Sequence, residues 1–331
     1  MNVKRKKSGF TPLEIKVSNQ GSNRRSKRFL TGFTIVELLT TLAIIAMLVG
    51  LLVPALNLVR NIAKETKQKA QLTTIGLALM TFKNDSDYGD YPPSDWPDMT
   101  LPPPLRFEYC GAQKLAEALL GWDLLGFHPK TAWRANGLDA TDGPMTYDPA
   151  RVRGDDSLNE RRGPYLELAT ANAFRLGISG PANRDGLFDD PAPLAPHTFV
   201  ICDVFGVKKI TLIQPGPAGK TDVFKAGTPI LYYKANTSSK VFAPPPRVDQ
   251  RIYDAYDNDP LVQLGQMMDI TKVHKLGTDI ENLYRPDFEG SIVDPKITAR
   301  PWPYRPDSYI LISAGLDGEY GTKDDIRNFG N

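Results

Sequence analysis

One stretch dominates the pattern of apolar and polar positions. From Leu38 to Val59 the chain reads LLTTLAIIAMLVGLLVPALNLV, with no charged residue. At 1.5 Å per residue such a helix spans about 33 Å, against a bilayer core of about 30 Å. The pattern predicts one membrane helix over 33–59, with Pro54 kinking it or removing a hydrogen bond near its far end. Beyond Val59 the apolar residues thin out but keep helical spacing: Ile62, Ile75, Leu79 and Phe82 alternate with Lys and Gln. The helix therefore continues as an amphipathic segment over 60–84, running in all from about Thr34 to Lys83, and its second half is expected to pack on a sheet.

The rest of the chain, 85–331, reads as a globular domain with loop insertions. Residues 88–106 are dense in Pro and acid and cannot form a helix. KLAEALLGWD at 114–123 predicts a short amphipathic helix, and 126–162 a long Gly-, Asp- and Arg-rich loop. Five short β-rich runs follow at 163–168, 199–206, 208–214, 228–235 and 308–315, each bounded by Pro, Gly or Asp. One long helix followed by an antiparallel meander defines an α+β fold.

Charge is distributed unevenly. Residues 1–32 hold nine Lys or Arg and one acid, Glu14, whereas the whole chain of 331 residues is only +2. The body is therefore acidic, which argues against nucleic acid as a partner. The basic block also keeps the N-terminus cytoplasmic and sends the domain across the membrane. Cys110 and Cys202 could close one loop of about 93 residues, a bridge contributing about 4 kcal/mol in the chain-entropy account, or could stay as two buried thiols. No CxxC spacing points to zinc, and His128, His197 and His274 stand alone in the sequence. There is no GxSxG, P-loop or Gly-rich dinucleotide turn, so the residues suggest no enzyme. Trp96, Trp122, Trp133 and Trp302 fall in or beside loops and read as packing residues before a ligand surface.

A carboxylate at the front of the apolar run, Glu37, needs a reason, because an unpaired charge in lipid is costly. It can lie at the helix entrance near the headgroups. If the chain were cut after Gly32, Glu37 would instead be the fifth residue, one turn from a free ammonium on Phe33 and near the positive end of the helix dipole. It could also meet the ammonium of a neighbouring copy.

Together, the basic leader 1–32, Gly32, Phe33, Thr34, Glu37 and the apolar helix with Pro54 resemble the N-terminal signal of type IV pilins and type II secretion pseudopilins. The resemblance implies a lollipop-shaped fold, with the long helix packed on a small antiparallel sheet. It implies cleavage after Gly32 and N-methylation of Phe33 by a prepilin peptidase, with Glu37 and Pro54 serving assembly. It implies a structural subunit in the inner membrane, with its domain in the periplasm. That subunit would assemble with copies of itself and other pilin-like subunits on an inner-membrane platform, into a fibre that drives protein export. A type IV pilus subunit for adhesion or DNA uptake is the alternative, and a membrane-tethered binding protein or hydrolase a further one. A second GFTPLE motif at 9–14 is followed by polar and basic residues, not an apolar run, and cannot be presented in a bilayer.

The C-terminal stretch SAGLDGEYGTKDDIRNF, 313–329, gathers Asp317, Asp324 and Asp325, with Glu319 as a spare, among Gly315, Gly318 and Gly321. Carboxylates with turning backbone carbonyls suit Ca²⁺, which takes six to eight oxygens in irregular geometry. The spacing is not that of an EF-hand, and a plain Gly/Asp turn cluster is the other reading. The loop resembles the calcium loop of major pseudopilins, which implies Asp317 and Asp324 as ligands and, less directly, Asp325. NRDGLFDDP at 183–191 is a shorter echo.

Overall fold

The computed structural model describes residues 32–85, 88–95, 108–135, 137, 147, 156–177, 186–195, 197–213, 221–242, 251–277 and 286–330. The basic leader up to residue 31, the GFTPLE repeat and Trp96 lie outside the described residues. The chain divides into two units, Met1–Ala55 and Leu56–Asn331.

In the first unit the described chain is irregular to Thr34 and then enters helix α1, Ile35–Asp85. The helix starts within a residue of the expected position and passes through Pro54 without ending, although proline offers no N–H to the ladder. Phe33, Ile35, Leu39, Ile44, Met47 and Leu52 are all exposed. The helix is long and apolar enough to cross a membrane, and among the described residues none of its most apolar stretch is buried. With backbone groups bonded internally and side chains apolar, such a surface is at home only in lipid or against other apolar chains.

The second unit is built around one strand pair. Strands β5 (Leu231–Lys234) and β6 (Tyr309–Ser313) pair antiparallel with Leu231 opposite Ile312 and Lys234 opposite Tyr309; β7 (Ile326–Arg327) extends the sheet beyond β6. All five residues of β6 are buried. Side chains alternate across a strand, so Leu231, Tyr233, Ile310 and Ile312 enter one core while Tyr232, Tyr309 and Leu311 enter another. A sheet covered on both faces reads as a continuous apolar run, which YILI does. Two further pairs, β1 (Ala173–Arg175) with β2 (Phe199–Ile201) and β3 (Lys208–Ile213) with β4 (Thr221–Ala226), form separate antiparallel sheets.

The α+β class stands, but the single meander does not. The described strands form three small sheets, and the central pairing joins β5 to β6 across a long separation in sequence. GPYLEL is not a strand. It is irregular until the short helix α4 (Leu168–Ala171), which follows α3 (Asp156–Glu160). Strands β1, β4 and β7 arise where the sequence suggested none. All are short or exposed, so their alternation is weak; β4 carries only one buried residue, Ala226.

Helix α1 covers one face of the central sheet. Gln68, Gln71, Leu72, Ile75, Ala78, Leu79 and Phe82 are buried, three or four residues apart as one helix face requires. Ile62, expected on that face, is exposed. Phe82 makes edge contacts with Phe127, Trp133 and Tyr165, with ring centroids 4.9, 6.3 and 5.7 Å away.

Helix α2 (Gly111–Leu120) begins three residues earlier than expected, and every one of its residues is buried. Its Ala112 and Leu119 belong to different cores, so this helix is central and covered on every side. Its start is fixed by reciprocal bonds. Gln113 Oε1 accepts from the Cys110 N–H at 2.9 Å, and Asn258 accepts from the Ala112 N–H at 2.8 Å while donating to the Tyr232 carbonyl at 2.7 Å. A β-carbon at Gly111 would sit 2.2 Å from the Tyr232 oxygen, so only glycine allows this approach. The buried charges of α2 have partners. The Lys114 ammonium donates to the Asp95 carbonyl at 2.6 Å, and Glu117 accepts from the Tyr109 and Thr131 hydroxyls at 2.6 and 2.5 Å. Helices α5 (Asp259–Gln263) and α6 (Pro286–Ile292) complete the unit.

Phe82 is fully buried at the seam between α1 and the sheet. Truncation to Ala is expected to destabilise the unit by about 3 to 5 kcal/mol, while Ile62→Ala changes stability by less than about 0.5 kcal/mol. Denaturant unfolding of both variants checks this contrast.

Candidate processing, assembly and metal sites

The start of α1 is held by Thr34 and Glu37. The Thr34 N–H and hydroxyl both donate to Glu37 Oε2, at 2.9 and 2.7 Å, and the Glu37 N–H donates back to the Thr34 hydroxyl at 3.2 Å. This is a capping box, in which a Thr at the helix entrance and a Glu three residues on satisfy each other's donors. This local partner for Glu37 is a different one from the ammonium and the headgroup layer that the apolar run suggests. The signature T-x-x-E before an apolar run, TIVE at 34–37, is the signal that would have found it. Only Oε2 takes these bonds, which leaves Oε1 for a further donor. A β-carbon added at Gly32 would meet nothing within 4 Å, so the described fold does not itself require glycine there.

The acidic loop leaves β6 at Ser313 and returns in β7. Gly315, Gly318 and Gly321 carry positive φ of 70°, 72° and 91°, the sharp turning their positions suggested. Asp324 is the hub. Its Oδ2 accepts from the N–H groups of Leu316 and Asp317 at 2.8 and 3.0 Å, and its Oδ1 from the Thr322 hydroxyl at 2.5 Å. Asp317 accepts from the Glu319 N–H at 2.8 Å. Asp317 and Asp324 lie next to each other in the loop. Partial burial, with the Asp324 charge beside it, pushes the Asp317 carboxyl up. Burial works against Asp324 too, but the bonds from Thr322 and the Asp317 backbone outweigh it and hold that carboxyl low. Asp325 turns instead to the Gly321 N–H at 3.0 Å. Burial pushes it up to about 7, and its Oδ1 is buried without a hydrogen-bond partner.

Asp317 and Asp324 thus share one side of the loop, while Asp325 is directed elsewhere. Among the described residues no group of three or more His, Cys, Asp or Glu side chains is arranged to hold a metal. What the loop brings together is one pair of carboxylates, Asp317 and Asp324. In the shorter echo, Asp189 lies 3.6 Å from Lys208 on the surface and Asp190 accepts from the Ala192 N–H at 3.1 Å; residues 183–185 fall outside the described chain.

Behind the loop is an acid that the sequence reading passed over. Asp203, just after β2, is fully buried. Its Oδ1 accepts from the N–H groups of Phe205 and Thr228, at 3.1 and 3.2 Å, and its Oδ2 from the Ser313 hydroxyl at 3.2 Å. Burial pushes its carboxyl up to about 7, against those bonds. No charge pattern marks it, since it sits inside the apolar run FVICDVFG.

Cys110 and Cys202 are free buried thiols, and burial pushes Cys110 up to about 12. His128 and His274 are buried packing residues. His274 accepts from the Tyr320 N–H at 3.1 Å, and burial lowers it to about 4. Trp133 stacks on Phe127 and Trp122 on Tyr147, both in packing roles.

No protein-family model, curated protein or solved structure matches this chain.

Asp203 sets an expected pH dependence. Its folded value, about 7, lies above the ordinary 3.8, so between these pH values the folded state holds a proton that the unfolded state has released. The stabilisation is complete below about pH 4 and lost as pH rises through 7; Asp325 and Asp254, raised to about 7 and about 6, act with the same sign. Stability is expected to fall from pH 5 to pH 8. Asp203→Asn should remove on the order of 2 to 4 kcal/mol of that fall. Parallel stability curves for the two proteins, from urea titrations across this range, would refute the assignment.

Proposed function

We propose that this chain is a pseudopilin-like structural subunit of a type II secretion system, which assembles through its N-terminal helix into a periplasmic fibre that drives protein export. The observation that carries the reading is the start of α1. A helix whose apolar half is covered by none of the described residues is preceded directly by Gly32-Phe33-Thr34, and the one carboxylate of that half is held in place by the capping Thr. The basic leader orients the helix with its N-terminus in the cytoplasm and the second unit in the periplasm.

In this reading a prepilin peptidase cuts after Gly32 and methylates Phe33. The new ammonium then lies one residue before the Thr34 cap, and Glu37 Oε1 is free to accept from it or from the ammonium of an adjacent copy. Removing either charge from an apolar assembly leaves the other unpaired, which gives the pair a role in subunit register. The fold does not need a glycine at position 32; a peptidase pocket that admits no side chain supplies the reason for one. Ca²⁺ held by Asp317, Asp324 and glycine-turn carbonyls would staple the loop between β6 and β7, with Asp325 contributing less.

The mature protein is expected to begin at N-methylated Phe33, and Gly32→Leu to leave the precursor uncut. Mass analysis of the N-terminus reads this directly. A start at Met1, or one after Ala55, overturns the reading.

For the loop, Ca²⁺ is expected to raise the thermal midpoint of the full chain in detergent relative to chelator. The stabilisation is about 2.7 kcal/mol at a hundredfold excess over Kd. Asp317→Asn and Asp324→Asn should each abolish the shift and Asp325→Asn should retain most of it, while Mg²⁺ replaces Ca²⁺ poorly. An unmoved midpoint removes the metal and leaves a turn cluster.

A further inference from the structure

Past the apolar run, α1 presents a basic face. Arg60, Lys64, Lys67, Gln71 and Thr74 recur at intervals of three and four residues and so lie on one side of the helix. Arg60, Lys64 and Lys67 are exposed, and among the described residues no carboxylate lies within 4 Å of them; the neighbouring Lys69 is paired with Glu65 at 2.9 Å. This face runs into a cavity of about 390 Å³ whose lining includes Lys67, Gln71, Leu166, Thr170, Asn172 and Lys225.

Three features of the cavity point to a ligand. The first is unbalanced positive charge. Among the described residues neither Lys67 nor Lys225 has an ion-pair partner; Glu167, at the N-cap of α4, is within ion-pair distance of neither, and Asp203, which feels the charge of Lys64 on the same helix face, is bonded to Ser313 and Thr228. Lys209 stands directly opposite Lys225 in the β3–β4 register, an arrangement of like charges that an anion relieves.

The second is an unmet acceptor. Gln71 is only 9% exposed, and its amide nitrogen donates to the carbonyls of Cys202 and Ala171 at 2.9 and 3.3 Å. Its Oε1 is buried without a partner. A buried acceptor of this kind is normally satisfied, by protein, water or ligand. The third is an apolar wall, with Leu166 buried beside these polar groups. Two cations, one acceptor waiting for a hydroxyl, and a carbon-binding surface together describe a phosphate ester that also carries hydroxyls.

Where that ester comes from follows from position along α1, and here the argument rests on the membrane-spanning reading above. The uncharged run ends at Val59, and Lys67 lies eight residues further, about 12 Å along the helix. The headgroup layer accounts for roughly 5 to 8 Å of that distance, and flexible lysine side chains reach back across the rest. Arg60 and Lys64 occupy the interval. Basic residues beside a membrane span are attracted to anionic lipid, and basic pockets there hold headgroups. We propose that the cavity binds the headgroup of an anionic phospholipid of the glycerol-phosphate type, with Lys67 and Lys225 on the phosphate oxygens and a headgroup hydroxyl donating to Gln71 Oε1.

The test uses full-length protein in non-ionic detergent, with bound lipid counted by native mass spectrometry. The probes are short-chain phosphatidylglycerol, phosphatidylcholine of the same chain length, and glycerol 3-phosphate. Phosphatidylglycerol is expected to be retained at least tenfold better than phosphatidylcholine. The double variant Lys67→Gln/Lys225→Gln, altered at exposed positions whose side chains make no ion pair among the described residues, should lose that preference, whereas Lys296→Gln, on an exposed turn outside the cavity lining, should keep it. Equal retention of the two lipids, or a preference that survives in the double variant, overturns the site. If glycerol 3-phosphate binds as tightly as phosphatidylglycerol, the ligand is a soluble phosphate ester and the lipid assignment falls. The measurement does not depend on whether the precursor is cut, so a start at Met1 in the N-terminal analysis would leave its outcome readable.

Discussion

The second unit depends on the pairing of β5 with β6. These two short strands hold a sheet covered on both faces. Their alternation sends Ile310 and Ile312 into one core and Tyr309 and Leu311 into the other. At about 25 cal/mol per Å² of apolar surface buried, a strand covered on both faces stabilises about twice as well as one covered on one. Helix α1 can lie flat only because β6 presents Tyr309 and Leu311 to it, and α2 can be wholly buried only because two cores exist to receive its opposite sides.

The pairing also determines where chemistry can occur. The acidic loop hangs from the last residue of β6, so Ser313, whose hydroxyl is bonded to buried Asp203, is at once a sheet residue and the root of the loop. Asp203 in turn receives the Thr228 N–H just ahead of β5. The loop's carboxylates are therefore displayed from a rigid base, while their own bonds are mostly to backbone N–H groups within the loop. A loop ordered by its own carboxylates keeps its turn structure through those bonds.

Helix α1 carries two unrelated solvents along one element. Its first half is mostly apolar and exposed, whereas its second half is divided into a buried face, a basic face and a neutral exposed one. The buried face includes two glutamines. Gln68 accepts from the Val204 N–H at 2.9 Å and Gln71 donates to the Cys202 carbonyl, so each gives the backbone beyond β2 a partner that no strand supplies. Polar residues on a core-facing helix stripe are expected where the neighbouring backbone is irregular, since its groups must still be bonded.

What could be read from the sequence was what short-range periodicity controls. The long helix, its apolar half, the turning glycines at 315, 318 and 321, and the strands at 208–213, 231–234 and 309–313 all follow from spacing and residue type, and the structure has them. The Thr34–Glu37 cap was equally legible, being written within four residues. Tertiary structure alone decided that the strands divide into three sheets, that α2 is central, that Ile62 stays outside while Gln68 and Gln71 go in, and that Cys110 and Cys202 remain apart as thiols. It also decided which acids matter. Asp317 and Asp324 are brought face to face while Asp325 turns away, and Asp203 is buried by strands that lie far from it in sequence. The physical reason is range. Helical and turn preferences are settled among neighbours a few residues apart, whereas burial and the pairing of charges depend on which distant segments the chain brings together.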